Sequence, residues 1–121
     1  MRLRNLSFLF LVILASCGAK KEDPVLKEAY ELQQNVIKAM GELEEIVEAL
    51  PEAKHDSLHD IIHEMEENLF AIPGYELNLP GHEGHDHSHG EPNMTNDQML
   101  AVQKEMLQEV QNLKKALENN E

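Results

Sequence analysis

The sequence predicts an all-α protein, either an antiparallel three-helix bundle or a long helical hairpin of its first and third helices, with a long loop rich in histidine and glycine. Three segments place apolar residues three and four positions apart, the period of one helix face. Prolines separate these segments, and no segment is a strand candidate. Because no helix is apolar all round, each must bury one stripe against another within a domain spanning 24–121.

Helix 1 is expected at 24–50. Asp23 suits the N-cap and Pro24 the first helical position, while Pro51 ends the pattern. Gln33 interrupts an otherwise continuous apolar seam, and Gly41 within the helix marks either a close crossing with another helix or nothing. The seam comprises Leu26, Ala29, Val36, Met40, Leu43, Val47 and Leu50.

Helix 2 is expected at 57–71, because Ser57 and Asp60 have the spacing of a capping box. An earlier start near Glu52 is compatible with the preceding proline, which the first turn of a helix tolerates. The apolar face comprises Leu58, Ile61, Ile62, Met65 and Leu69.

A long exposed loop is predicted at 72–94, which holds three prolines and four glycines and has no helical period. Thr95 and Gln98 then form a second capping box, so helix 3 is expected at 95–118. Its stripe comprises Met99, Val102, Met106, Val110, Leu113 and Leu117.

The N-terminus has the pattern of a secretory signal peptide at 1–16, with Arg2 and Arg4 ahead of about ten apolar residues. This run is too short to span a membrane. Its end, Leu14-Ala15-Ser16-Cys17, resembles the bacterial lipobox. The resemblance implies cleavage before Cys17, a diacylglyceryl group on its thiol and a lipidated tether at 17–23. The alternative is an ordinary signal peptide followed by an incidental cysteine.

The expected location is the bacterial cell envelope, anchored to a membrane by lipid. Gly18 follows the cysteine where many inner-membrane lipoproteins carry aspartate, so the outer membrane is favoured. Since Cys17 is the sole cysteine, an intramolecular disulfide is excluded.

The charge balance restricts the class of partner. Ten basic and 23 acidic residues give a formal net charge of −13, and loss of Arg2 and Arg4 with the leader makes it −15. Such a chain repels nucleic acid and anionic lipid headgroups and attracts cations, so nucleic-acid binding is excluded.

A histidine-rich loop is the strongest chemical signal. Imidazole is the commonest ligand for first-row divalent ions, and Zn²⁺ and Cu²⁺ accept mixed nitrogen and oxygen shells. Zn²⁺ is the favoured ion, with Cu²⁺ and Ni²⁺ as other candidates; the alternative is a polar linker that binds metal no better than a purification tag. The predicted ligands are His82, Glu83, His85, Asp86, His87 and His89.

A second candidate metal site lies on helix 2. His59 and His63 are four residues apart and therefore share a helix face. His55 extends the row if the helix starts early, and Glu67 continues it by one turn. The alternative is a solvated polar face.

Catalysis is not expected. His59 and His63 have the spacing of the zinc-protease HExxH motif, but Asp60 stands where the motif requires glutamate. The chain also has no nucleophile elbow or phosphate-binding glycine loop.

The layout resembles small Bacteroidetes lipoproteins, some of them named viral A-type inclusion proteins. The matching segments are Val36-Ile37-Lys38-Ala39-Met40 and Met99-Leu100-Ala101-Val102-Gln103. The resemblance implies envelope location and a helical fold but no mechanism. Two functional hypotheses follow: a metal-binding lipoprotein that buffers or delivers the ion, and a structural lipoprotein whose helices bind a partner or self-associate.

Overall fold

The computed structural model describes residues 22–81 and 92–120, and within these ranges the regular structure is entirely helical. It comprises α1 (Pro24–Glu48), a 3₁₀ turn (Glu52–Lys54), α2 (His55–Glu67) and α3 (Asn96–Glu118). The predicted all-α bundle is therefore confirmed. The leader 1–16 and most of the tether, including Cys17, lie outside the described residues. None of the described helices is long and apolar enough to cross a membrane.

Both predicted N-terminal caps of the long helices are present. The Asp23 carboxylate accepts a hydrogen bond of 2.9 Å from the Val25 backbone N–H. Thr95 and Gln98 form the reciprocal capping box, in which the Thr95 side chain accepts from the Gln98 N–H at 3.2 Å. α1 ends two residues before the predicted boundary, since a residue preceding proline, here Leu50, disfavours helical geometry.

The start of α2 differs from the capping-box prediction and agrees with the alternative, a start near Glu52. The chain enters a 3₁₀ turn directly after Pro51 and continues into α2 at His55. Ser57 therefore lies inside the first turn, where its hydroxyl donates to the Lys54 carbonyl at 3.5 Å instead of capping the helix.

The end of α2 was also predicted wrongly. The helix stops at Glu67, and the chain continues as a strap (residues 69–81) without regular secondary structure, which turns at Gly74. Leu69, Phe70 and Ile72 of this strap are buried, so the predicted exposed loop 72–94 begins with a buried residue.

The strap continues with alternating exposure. Tyr75, Leu77 and Leu79 are partly buried against the core clusters, whereas Glu76 and Asn78 between them are exposed. Apolar and polar residues alternate in the sequence from Tyr75 to Leu79, and this pattern predicts an extended segment with one apolar face. This signal was missed because the surrounding prolines and glycines indicated a loop.

The helices follow an up-down-up course. Asp23 accepts from the Asn96 side chain at 2.6 Å, and farther along the same two helices the Lys114 ammonium donates to Glu42 at 2.6 Å. From the first contact to the second, the residue numbers increase along both α1 and α3, so these two helices are parallel. Of the two predicted arrangements, the three-helix bundle is the one formed, and the hairpin of helices 1 and 3 is not.

The second helix and the first part of the strap return along α1 in the opposite direction, and the strap then turns so that Pro80 again lies beside the middle of α1. His59 of α2 faces Glu48 near the end of α1, whereas Phe70 farther along the chain bonds to Gln33 nearer its start. α1 is consequently the central element, in contact with α2, α3 and the strap, and its packing on α3 is the most extensive.

Two apolar clusters form the core of the bundle. One includes Ala29, Phe70, Ile72 and Met99, and the larger one includes Val36, Met40, Leu43, Val47, Ile62, Leu69 and Val110. Gln33 and Gln103 are fully buried and lie between the clusters along α1 and α3. The interruption of the seam at Gln33 is therefore a polar layer inside the core.

Candidate functional site

The predicted metal-binding loop lies outside the described residues, so the structure does not test this prediction. Those positions are His82, Glu83, His85, Asp86, His87 and His89. Its two attachment points are described. The strap ends at Gly81, whose φ of +86° is readily adopted only by glycine.

The attachment points lie at different levels of the bundle. Pro80 lines a cavity of about 40 Å³ with Ile37 and Glu44 in the middle of α1. On the other side of the histidine segment, the chain leads into the capped start of α3, where Asn96 bonds to Asp23. The residues that flank the segment 82–91 thus lie at the middle of α1 and near the end of the bundle formed by Asp23 and Asn96.

His55 has a structural partner. Its Nε2 lies 2.7 Å from the carbonyl of Leu50, which follows the C-cap of α1. The contact stabilises the turn between α1 and α2 and engages Nε2, so only Nδ1 of His55 is left to bind a metal ion.

His59 points toward α1. Its Nε2 lies 3.7 Å from the Glu48 carboxylate, and its ring contacts that of His55 edge-on at 6.0 Å between centroids. His59 also lines an open groove of about 600 Å³ along α1. Most of the residues that line this groove are acidic, and one is a lysine. The groove residues are Lys38, Gly41, Glu42, Glu44, Glu45, Glu48 and His59.

His63 lies one turn farther along α2 and has two acidic neighbours. Its ring nitrogens are 3.8 Å from Glu66 and 3.3 Å from Glu67, so the predicted proximity to Glu67 is present. The structure pairs His63 with Glu67 but directs His59 to Glu48 and His55 to Leu50. Within the described ranges, no group of three or more histidine, cysteine or acidic residues could hold a metal ion. The second metal site stays a prediction.

An ion pair between α1 and α3 was not anticipated from the sequence. The Lys114 ammonium hydrogen-bonds the Glu42 carboxylate at 2.6 Å. That hydrogen bond, more than the charge alone, lowers the pKa of Glu42, and the same bond raises the pKa of Lys114. Sequence spacing cannot reveal this pair, since its members are 72 positions apart.

An aromatic contact joins the strap to the tether end of the bundle. The rings of Tyr30 and Tyr75 stack with centroids 4.2 Å apart and planes 14° from parallel. The Tyr75 hydroxyl donates a short hydrogen bond to Glu22, and this bond raises the pKa of Tyr75 to about 12. The residues immediately before α1 are thereby held against the bundle.

The predicted apolar face of α2 is only partly buried. Ile62 is 2% exposed, but Ile61 beside it is 39% exposed and is the most exposed large apolar side chain among the described residues. It borders a groove between α2 and α3. The helical period alone did not distinguish these adjacent isoleucines, because both lie within the apolar arc of α2.

Comparison with known proteins adds no identification: no family model, curated protein or solved structure matches this chain.

Proposed function

We propose that this protein is a membrane-anchored lipoprotein of the bacterial envelope that binds divalent metal, foremost Zn²⁺, through its histidine loop and buffers or delivers the ion. The observation that carries the proposal is ligand density: four histidines and two acidic residues occur within 82–89. The formal net charge of −13 strengthens it, because a negative field concentrates cations. The proposed role is binding rather than catalysis.

The contacts at the start of α1 limit how far the bundle could lie from an anchor on Cys17. Glu22 accepts a hydrogen bond from Tyr75, and Asp23 accepts one from Asn96. The described chain is therefore held to the bundle from its first residue. An anchor on Cys17 would lie at most roughly 18 Å of extended chain from Glu22. A lipid on Cys17 would therefore keep the start of α1 and the start of α3 close to the membrane surface.

Calorimetric titration of Zn²⁺ into the chain from residue 17, carrying Cys17→Ser to prevent lipidation, tests the metal proposal. We expect saturable sub-micromolar binding that is lost when His82, His85, His87 and His89 are changed to alanine. Acidification below about pH 6.5 should release the ion, since protonated imidazole cannot coordinate metal. The control is His59→Gln with His63→Gln, which should retain the binding. Affinity no tighter than that of a histidine tag, or unaffected by the four loop substitutions, would refute the proposal.

The alternative is a helical interaction lipoprotein without a physiological metal role. The exposed Ile61 beside the α2–α3 groove favours it, because this apolar surface remains available after the three helices have packed. A partner complex that forms equally well with and without the four loop histidines would support this alternative.

A further inference from the structure

The groove between α2 and α3 is formed because α2 packs chiefly on α1 and touches α3 only sparsely. It encloses about 160 Å³, similar to a cavity that accepts a benzene-sized group. The α2–α3 groove is lined by Ile61, Glu64, Met65, Asn68, Met106 and Glu109.

Its lining combines an apolar surface with acidic residues from both helices. Ile61 is 39% exposed, and Met65 and Met106 are half-buried. Methionine side chains are flexible and polarizable, so they adapt to apolar groups of different shape. Glu64 contributes a carboxylate from α2 and Glu109 one from α3.

No hydrogen bond or ion pair joins these two carboxylates to another side chain in the described part of the protein. The basic residues that form ion pairs on α3, Lys104 and Lys114, contact Glu28 and Glu42 of α1 instead. The groove therefore presents negative charge around an accessible apolar floor.

We propose that the α2–α3 groove binds a basic, partly apolar segment of a partner protein. A lysine or arginine suits it because the aliphatic stem can lie on Ile61 and the methionines while the charged end reaches Glu64 or Glu109. A second copy of this chain is a poor occupant. A symmetric contact would bring acidic grooves together in a protein with a net charge of −13.

The binding test uses fluorescence anisotropy with the chain from residue 17, carrying Cys17→Ser, and a labelled amphipathic peptide of leucine and lysine as the probe. Glu64→Gln combined with Glu109→Gln should weaken binding at least about tenfold. The matched control is Asp60→Asn combined with Glu105→Gln, which removes the same charge from exposed positions of the same helices outside the groove. It should weaken binding about twofold at most. Equal losses in the two double variants would show nonspecific attraction and overturn the proposal.

The apolar part of the proposal has its own test. Ile61→Ser should weaken binding about fivefold or more, whereas Ala53→Ser at another exposed apolar position should not. Circular dichroism confirms that each variant is folded. A lysine peptide without leucine that binds as tightly as the probe, or self-association through the groove in sedimentation experiments, would also overturn the proposal. All titrations contain EDTA, so their outcome is independent of metal binding by the loop.

Discussion

The Gln33 side-chain amide donates a hydrogen bond of 2.7 Å to the backbone carbonyl of Phe70, 37 residues away. The bond links the middle of α1 to the strap just after α2 has ended. A buried carbonyl outside a helix needs a donor, and Gln33 supplies one. The polar residue that interrupts the seam of α1 therefore helps the strap to lie on the core.

The two buried glutamines should respond in opposite ways to substitution by methionine, which has a similar shape. Both polar side-chain atoms of Gln103 are buried without a protein partner, so Gln103→Met should stabilise the fold by about 1–2 kcal/mol. Gln33→Met should destabilise it by about 1 kcal/mol, since the loss of the donor to the Phe70 carbonyl outweighs removal of the unpartnered Gln33 Oε1. Urea unfolding measures both free energies. Destabilisation by Gln103→Met would show that its amide has a polar partner.

The Glu42–Lys114 pair should make stability depend on pH on the acidic side. Because Lys114 lowers the pKa of Glu42, the contribution is complete above its ordinary value of 4.5 and is lost as the pH falls through the lowered value. Glu42→Gln should therefore reduce Tm at neutral pH but have little effect at pH values where Glu42 is protonated. Glu109→Gln, which removes a carboxylate without such a pair, serves as the control. An equal Tm reduction at all pH values would contradict the prediction.

Tyr75 should ionise only at about pH 12, because its hydroxyl donates to the Glu22 carboxylate. Its contribution to stability is complete below the ordinary pKa of 10.0 and is lost as the pH rises toward 12. Tyrosinate absorbance in a Tyr30→Phe background isolates the Tyr75 signal. Adding Glu22→Gln should bring ionisation to a lower pH, and an unchanged titration would show that Glu22 is not the cause.

Gly41→Ala should stabilise the protein by about 1 kcal/mol, the difference in helix propensity between the two residues. A Cβ atom built at Gly41 meets no atom within 4 Å, so the glycine does not mark a close helix crossing. Gly74, with φ +89°, provides the contrast: Gly74→Ala should destabilise by about 1 kcal/mol or more. Thermal unfolding of both variants tests the pair, and destabilisation by Gly41→Ala would indicate a contact at that position.

The candidate sites were predictable to different degrees. The approach of His63 to Glu67 follows from the spacing of one helix and was predicted. The partners of His55 and His59 were not, because the backbone carbonyl of Leu50 and the carboxylate of Glu48 belong to the end of α1. Whether the side chains of one helical row share a ligand depends on neighbouring elements that periodicity does not describe.

The sequence by itself determined the features that depend on neighbouring residues: the all-α class, the caps at Asp23 and Thr95, the break at Pro51 and the acidic charge. The tertiary structure alone decided the parallel course of α1 and α3, the end of α2 at Glu67, the packing of the strap and the exposure of Ile61. The physical reason is the range of the interactions. Caps and helical periods act within a few residues, whereas helix direction and burial depend on contacts between residues far apart in the chain.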